Sequence, residues 1–272
     1  MPLRIYLFIL LILTSNLIFA TDINTKNEAV KQPQKQTQQE QPNSPQIPAN
    51  YYQNLGLPPI NKPWTPNDYL QAVTVLTPVA QQTPQYLPHY SDKTAEPYMQ
   101  HMVNGQNIYQ VLQFTTAQQQ RIDLIIVYLD GIQRLLALYQ QSIGKATPYY
   151  AEWVDIIAMS SYLAALSAPE LQASLASVDP SNTAKKEAVT ILQTAMVNPV
   201  ITGLQAMPRL PPVLAWRLIQ QLNYTMPSYA RTLPLGSQQQ IYDALLTALQ
   251  QAQNQQLREG IQKLAMLFNT AN

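Results

Sequence analysis

The sequence predicts a mostly α-helical protein, an irregular helical bundle that is preceded by an extended arm rich in Pro and aromatic residues. Beyond residue 104, apolar residues recur at spacings of three and four, which is the period of an α-helix. The alternation of β-branched residues that is typical of a strand is missing after residue 80. No repeat with a period of about 20 to 50 residues runs through the chain, so a regular helical solenoid is disfavoured. The pattern therefore favours about six to eight packed helices.

Residues 1–20 have the layout of a secretory signal peptide. Arg4 gives a positive start, residues 5–13 are all apolar, and Ala20 offers a small residue for cleavage. The alternative is an uncleaved anchor, but the polar "TSN" interrupts the apolar stretch, which is short of the roughly twenty residues that a membrane span needs. We therefore expect export to the periplasm or out of the cell, with no membrane span after cleavage.

Residues 21–50 are predicted to form a disordered linker. The stretch "KQPQKQTQQEQPNSPQIPAN" at 31–50 is rich in Gln and Pro, and Ile47 is its single large aliphatic residue. Such a segment cannot offset the entropy of its own ordering by burial. It is either a tether that holds the following body near a membrane or an assembly, or a tail without a role.

Residues 51–103 form an arm that is dense in Pro and aromatic residues. The stretch "TPNDYLQAVTVL" predicts one short helix, with Thr65 as its N-cap and Pro66 at its first position. The remaining Pro residues disfavour long helices, so the rest of the arm is predicted to be extended. Its aromatic side chains pack either on the body or on a partner, and we favour the body because large aromatic surface is rarely left in water.

Residues 104–272 are the predicted α-helical domain. Its clearest helix covers 122–143, and we expect this helix to be the centre of the bundle because flanking Leu and Val residues leave little of its surface for water. Gly144 is expected to end it. Its apolar stripe consists of Ile122, Ile125, Leu129, Ile132, Leu136, Tyr139 and Ile143.

Further helices follow between Pro residues. One begins at Thr147 and Pro148, a separate short helix begins near Pro169, Pro199 ends the next, and one of about ten residues lies within 207–234. The C-terminal part has two apolar stripes, and the Gln-rich "QQAQNQQ" between them is either a turn or an exposed part of one long helix. The stripes are Ile241, Leu245, Ala248 and Ala252, then Leu257, Ile261, Leu264 and Phe268.

Composition argues against several classes of function. Charged residues are 11% of the chain and the net charge is +1, whereas ordinary soluble domains have roughly 25% charged residues. Without a basic stripe, nucleic-acid binding is not expected. The absence of Cys removes disulfides and thiolate chemistry, and the seven Gly stand singly, so no glycine-rich phosphate loop can be assembled. No cofactor is predicted.

Two His residues suggest a metal site only weakly. His89 and His101 flank Asp92 and Glu96, but Pro97 argues that the segment is not one continuous helix. The pairing of ligands on one helix face therefore does not apply. We interpret both as ordinary exposed loop histidines and predict no metal site.

Glu152 and Asp155 are the best candidates for acid–base chemistry, because they lie three residues apart beside aromatic side chains. A peptidoglycan-acting hydrolase that uses Glu152 is accordingly one alternative function. The structural interpretation is that Glu152 complements the helix dipole in the first turn, while Asp155 lies on a face that water can reach. A carrier of a small apolar ligand between helices is a second alternative.

The rest of the chain predicts an uncharged surface, rich in Gln, Tyr and Met, of the kind that contacts other proteins. Several aromatic and Met residues gather in the arm and around the Pro-rich break at 207–234. We take them as a candidate interaction surface, although a Trp on a short amphipathic helix is more often buried. The candidates are Trp64, Tyr69, Met207, Trp216, Tyr224, Met226 and Tyr229.

The order of these segments resembles a known group of exported proteins. The stretch at 31–50, the adjoining "YYQNLGLPPINKPWTPNDYLQAV" and the Cys-free helical body are similar to periplasmic accessory components of the Dot/Icm type IVB secretion apparatus, the IcmX-like proteins. The resemblance implies a role in secretion and virulence, with other envelope or secretion-system proteins as partners, and carries over no site residue. We therefore expect a non-enzymatic exported interaction or structural component of a bacterial envelope or secretion assembly, which also forms a homo- or hetero-oligomer.

Overall fold

The structure is a computed structural model that describes residues 47–48, 50–143, 149–176 and 181–269. It is 80% helical, with ten α-helices and no strand in these ranges, which confirms the mostly α fold class. The predicted signal peptide, nearly all of the predicted linker, and the expected helix end at Gly144 and start at Thr147 and Pro148 lie outside the described residues.

The helices follow one another with short connections. A 3₁₀ turn covers Pro84–Tyr86 and another covers Met207–Arg209. In chain order the α-helices are α1 Tyr51–Leu55, α2 Pro66–Gln82, α3 Glu96–Met102, α4 Gly105–Phe114, α5 Gln118–Ser142, α6 Tyr150–Ala176, α7 Thr183–Ala206, α8 Pro212–Thr232, α9 Leu235–Gln251 and α10 Gln255–Asn269.

Helix α6 is the centre of the fold, and the expectation that the helix at 122–143 has this place was wrong. α6 packs against α5, α7 and α8, while α5 lies between α2 and α6. On the far side, α7 contacts α9, α9 contacts α10, and α10 returns to α8. Every residue from Glu152 to Ile157 is buried, so α6 is enclosed all round its circumference in this stretch. α5 is enclosed in the same way from Tyr128 to Ile132, but it packs mainly on two helices, α2 and α6, whereas α6 packs on three.

The arm is folded onto the body and is largely helical, so its predicted extended form was wrong. The predicted cap of α2 is confirmed: the Thr65 N–H donates to Asp68 Oδ2 at 2.7 Å, and the Asp68 N–H donates to Thr65 Oγ1 at 3.4 Å. Trp64 and Tyr69 are buried in contact with each other, and the Tyr69 hydroxyl donates to the carbonyl of His101 at 3.1 Å. The Tyr69 ring also packs edge to face on Tyr128 of α5, and this buried aromatic contact holds the arm to the body.

Four Pro residues lie inside helices, namely Pro78, Pro169, Pro199 and Pro227. The predicted breaks near Pro169 and at Pro199 were therefore wrong, and α8 is about twice as long as expected. An internal Pro removes one backbone hydrogen bond and leaves the carbonyl four residues earlier without its usual donor. At Pro169 that carbonyl belongs to Ala165, and Ser228 Oγ on α8 donates to it at 3.0 Å. The packing of α8 on α6 thus supplies a hydrogen-bond donor in place of the backbone N–H that Pro169 lacks.

The apolar stripes of α5, α9 and α10 face the core as predicted, with Ile122, Ile143 and Leu257 only partly buried. The Gln-rich passage between the last two helices is a turn, because α9 ends at Gln251 and α10 begins at Gln255. This decides between the two alternatives that the sequence left open.

We predict that Ser228→Ala lowers the free energy of unfolding by about 1 kcal/mol, since it leaves the Ala165 carbonyl without a donor beside Pro169. In a Pro169→Ala background the new backbone N–H can donate to the same carbonyl, so the cost of Ser228→Ala should shrink toward zero. Urea unfolding of the wild type, both single variants and the double variant measures this coupling. An equal cost of Ser228→Ala in both backgrounds would show that the two residues act independently.

Gly131 marks the closest approach of α5 to the arm. A Cβ atom added at Gly131 would lie 2.8 Å from the Cβ of Tyr69, whereas one added at Gly236, in the first turn of α9, would meet nothing within 4 Å. Only a residue without a side chain lets α2 pack this closely on α5.

We therefore expect Gly131→Ala to destabilise the fold by about 1 to 3 kcal/mol through overpacking, despite the better helix propensity of Ala. Gly236→Ala is the matched control and should be neutral or slightly stabilising. Thermal and urea unfolding compare the two. Equal effects of both substitutions would argue that the arm does not pack on α5 as described.

Candidate functional site

A cleft with a volume of about 470 Å³ lies between α6 and α8. We call it the α6–α8 groove. One face of α6 forms its floor and one face of α8 forms a wall. The opposite wall is formed by Tyr90 of the arm together with the turn that leads into α4. The floor consists of Asp155, Ala158, Met159 and Tyr162. The wall on α8 consists of Arg217, Gln221, Tyr224 and Thr225, and the opposite wall consists of Tyr90, Val103, Gly105 and Gln106.

The two long helices of the groove run parallel. Asp155 bonds to Arg217 near the start of both helices, and the Ala165 carbonyl meets Ser228 further along both. The lining residues extend over seven residue steps on α6, from Asp155 to Tyr162, and over eight on α8, from Arg217 to Thr225. At 1.5 Å per residue the groove is about 10 Å long, which is the length of a short peptide.

Asp155 is the buried acid of the groove. Its Oδ2 accepts hydrogen bonds from Arg217 Nη2 at 2.7 Å and from the Tyr90 hydroxyl at 2.5 Å. Burial raises the pKa of this carboxyl, while the hydrogen bond from Tyr90 and the positive charge of Arg217 act in the opposite direction. The expectation that Asp155 lies on a wet face was wrong, because only 7% of the residue is exposed.

Glu152 lies one turn before Asp155 and is also buried. Its Oε1 accepts a hydrogen bond from the backbone N–H of Tyr90 at 2.8 Å. Glu152 and Asp155 thus hold the same arm residue, one through its main chain and one through its hydroxyl. We call Tyr90, Glu152 and Asp155 the Tyr90 anchor. Sequence reasoning missed Tyr90 and Arg217, because each lies more than sixty positions from its partner on α6.

Other tyrosines fasten the same stretch of the arm. The Tyr139 hydroxyl on α5 donates to the carbonyl of Pro88 at 2.7 Å, and the Tyr149 hydroxyl donates to the carbonyl of Pro84 at 2.5 Å. Their rings pack edge to face. The wall of the groove that carries Tyr90 is therefore held by side chains from two helices of the body.

Most of the predicted interaction surface is core. Trp64, Tyr69, Met207, Met226 and Tyr229 are all buried, so they cannot contact a partner without unfolding, and that part of the prediction was wrong. Met226 and Tyr229 are buried because α8 is long enough for them to face α6. There the Tyr229 hydroxyl donates to the carbonyl of Ser161.

Two of the predicted surface residues keep access to solvent. Trp216 is half-buried, and a Cβ added at Gly260 of α10 would meet its ring. Tyr224 is 84% exposed and lines the α6–α8 groove. It is the one candidate that the structure places at a site open to a partner.

Neither His lies in a cluster of metal-binding side chains. His101 belongs to α3, where its Nε2 bonds to the carbonyl of Ile60 at 2.8 Å and its ring stacks on Trp64. His89 Nδ1 bonds to Ser91 Oγ. Across the described ranges, no three His, Asp or Glu side chains come together as a metal site would require. In the same ranges no helix has the length and apolarity of a membrane span.

Comparison of the chain with known protein families, with curated proteins and with solved structures gave no match. The α6–α8 groove and the Tyr90 anchor are therefore interpreted from their own geometry.

The raised pKa of Asp155 has a consequence for stability. Because its pKa in the folded protein lies above the ordinary value of 3.8, the folded protein binds this proton more tightly than the unfolded chain. This contribution to the free energy of unfolding is fully present below pH 3.8 and is lost as the pH rises through the raised pKa. Burial acts in the same direction on Asp130.

We predict that the stability difference between the wild type and Asp155→Asn moves in favour of Asn as the pH rises from about 4 to about 7. Urea unfolding across that range measures the difference. Asp130→Asn should shift in the same direction, since burial raises that pKa too. A difference that stays constant or moves toward Asp with rising pH would contradict this account.

Proposed function

We propose that the protein is a non-enzymatic, exported interaction component of a bacterial envelope or secretion assembly, and that it contacts its partner through the α6–α8 groove. The observation that carries the proposal is the groove itself: a concave site about 10 Å long with Tyr90, Tyr162 and Tyr224 on its three sides. Tyr offers a large contact area and a hydrogen bond for little loss of side-chain entropy, which is why interfaces are enriched in it.

The charged groups at the groove support a binding role. Glu152 and Asp155 accept hydrogen bonds from Tyr90, and Asp155 is also paired with Arg217. Both carboxylates are thus engaged in holding the groove wall in place. The amide side chains of Gln106 and Gln221 are exposed at the groove and can bond to the main chain of a bound segment.

Export is the other half of the proposal. It is supported by the sequence of residues 1–20, by the Gln- and Pro-rich stretch behind them, and by the resemblance to periplasmic accessory components of a type IVB secretion apparatus. The expected partners are other envelope or secretion-system proteins, or further copies of this chain. Mass spectrometry of the N-terminus of protein from the periplasmic fraction tests cleavage after Ala20.

Co-purification of the tagged protein from the periplasm of its native host tests the groove. We expect Tyr224→Ala to reduce recovery of the captured partner several-fold, because truncating an exposed aromatic contact in an interface commonly costs more than 1 kcal/mol. Phe114→Ala is the matched control, since Phe114 is 85% exposed and lies outside the groove. It should leave recovery unchanged.

Several outcomes would contradict the proposal. One is that size-exclusion chromatography with light scattering shows a monomer and that the protein captures no partner. Another is that Tyr224→Ala and Phe114→Ala lose the partner to the same extent. Retention of the full chain in the cytosol with an intact N-terminus would remove the exported half of the proposal.

A second candidate function is a peptidoglycan-acting hydrolase that uses Glu152, or Asp155 beside it. It is favoured by Asp155, which lies one turn from Glu152 and lines the cleft, because burial raises the pKa of the Asp155 carboxyl and a raised pKa suits a general acid. Incubation with cell-wall sacculi separates the two functions, because release of muropeptides that Glu152→Gln abolishes would favour the enzyme. The volume of the groove also suits a small ligand, and mass spectrometry of an extract of the purified protein tests the carrier alternative.

A further inference from the structure

We propose that the α6–α8 groove recognises an extended peptide segment of a partner protein that carries a carboxylate, which pairs with Arg217, and an aromatic or large aliphatic side chain about three residues away, which packs near Tyr224. The inference rests on the proposed binding function and names the chemistry of the partner. It follows from the charge, the exposure and the spacing of the groove residues.

Arg217 is the exposed charge of the groove. Its side chain is 44% exposed, while that of its partner Asp155 is 8% exposed. The guanidinium has five N–H donors, and its contact with Asp155 is made through Nη2. Asp155 is the one hydrogen-bond partner of this guanidinium among the described residues, and the planar group is suited to a second carboxylate.

The surroundings favour an anionic group at this end. Among the described residues that line the groove, Asp155 and Arg217 are the only charged ones, and the acid is the buried member of the pair. A carboxylate of a ligand can therefore contact the exposed guanidinium of Arg217 while the Asp155 carboxylate stays buried beneath it.

The apolar part of the groove fixes the spacing of the ligand. Met159 and Tyr162 lie one and two turns beyond Asp155 on α6, and Tyr224 lies two turns beyond Arg217 on α8. The distance from Arg217 to Tyr224 along the helix is about 10 Å. A peptide in the polyproline II conformation rises about 3.1 Å per residue and has three residues per turn. Its carboxylate and its apolar side chain can therefore lie on the same face, about 9 Å apart, when they are three positions apart in the sequence.

Two pools of acetylated and amidated peptides test this inference. Both have the pattern Tyr-x-x-Glu or Tyr-x-x-Gln with mixed residues at x, so that they differ only in the carboxylate. By fluorescence anisotropy at low salt we expect the purified wild-type protein to bind the Glu pool about fivefold or more tightly than the Gln pool, and the preference to weaken at high salt.

Variants locate the source of the preference. Arg217→Gln should bind both pools equally, Arg217→Lys should keep part of the preference, and Tyr224→Ala should weaken both pools while keeping their ratio. Arg231→Gln is the control, because Arg231 is exposed on the same helix but does not line the groove. It should behave as the wild type, and unfolding curves should show that all the variants are folded.

The outcomes separate this inference from the proposed function. Equal binding of the two pools by the wild type, no binding of either, or a preference that survives in Arg217→Gln would overturn the inference. If Arg217→Gln still captures the native partner while Tyr224→Ala does not, the groove keeps its proposed function and the carboxylate is not what it recognises.

Discussion

Two carboxylates buried side by side on the central helix are the constraint on which the rest of the structure depends. Glu152 and Asp155 lie one turn apart on α6 and are nearly inaccessible to water. A buried carboxylate is costly unless hydrogen-bond donors replace its water. Tyr90 supplies two of these donors and Arg217 a third. The arm must therefore cross α6 at this point, and α8 must run alongside. The same hydrogen bonds that satisfy the two acids also position two walls of the groove. The packing of the fold and the shape of the candidate site therefore depend on the same contacts.

Contacts with α8 also satisfy the backbone of α6. An internal Pro leaves one carbonyl of the helix without its usual donor, and a donor from the neighbouring helix replaces it. Ser228 fulfils this need at Ala165, and Tyr229 donates to the carbonyl of Ser161 one turn earlier. Polar contacts between α6 and α8 thus occur at both ends of their parallel packing, with apolar contacts between them. This fixes the register of the two helices, and with it the spacing of charge and aromatic surface along the groove.

Local features of the fold could be predicted from the sequence, and contacts between distant residues could not. Thr65 and Pro66 mark the start of α2 because capping depends on adjacent residues, and the stripe through Ile125, Leu129 and Ile132 faces the core because helical period decides burial. The helices that continue through Pro169 and Pro199 could not be predicted, since the compensating contacts come from elsewhere in the chain. For the same reason the sequence pointed to Glu152 and Asp155 but could not reveal Tyr90. Composition predicted an aromatic surface, yet it could not separate Tyr224, at the groove, from Tyr229, in the core.

The central claim is that Glu152 fastens the arm to α6 and so shapes the groove, and hydrogen exchange of one amide tests it most directly. The Tyr90 N–H lies outside any helix and bonds to Glu152 Oε1. Its exchange in the wild type should be slowed to the level of backbone amides in α6, and Glu152→Ala should remove that protection. The amide of Lys93, an exposed residue in the same connection, serves as the unprotected reference. A Tyr90 amide that exchanges as fast as that of Lys93 in the wild-type protein would contradict the account.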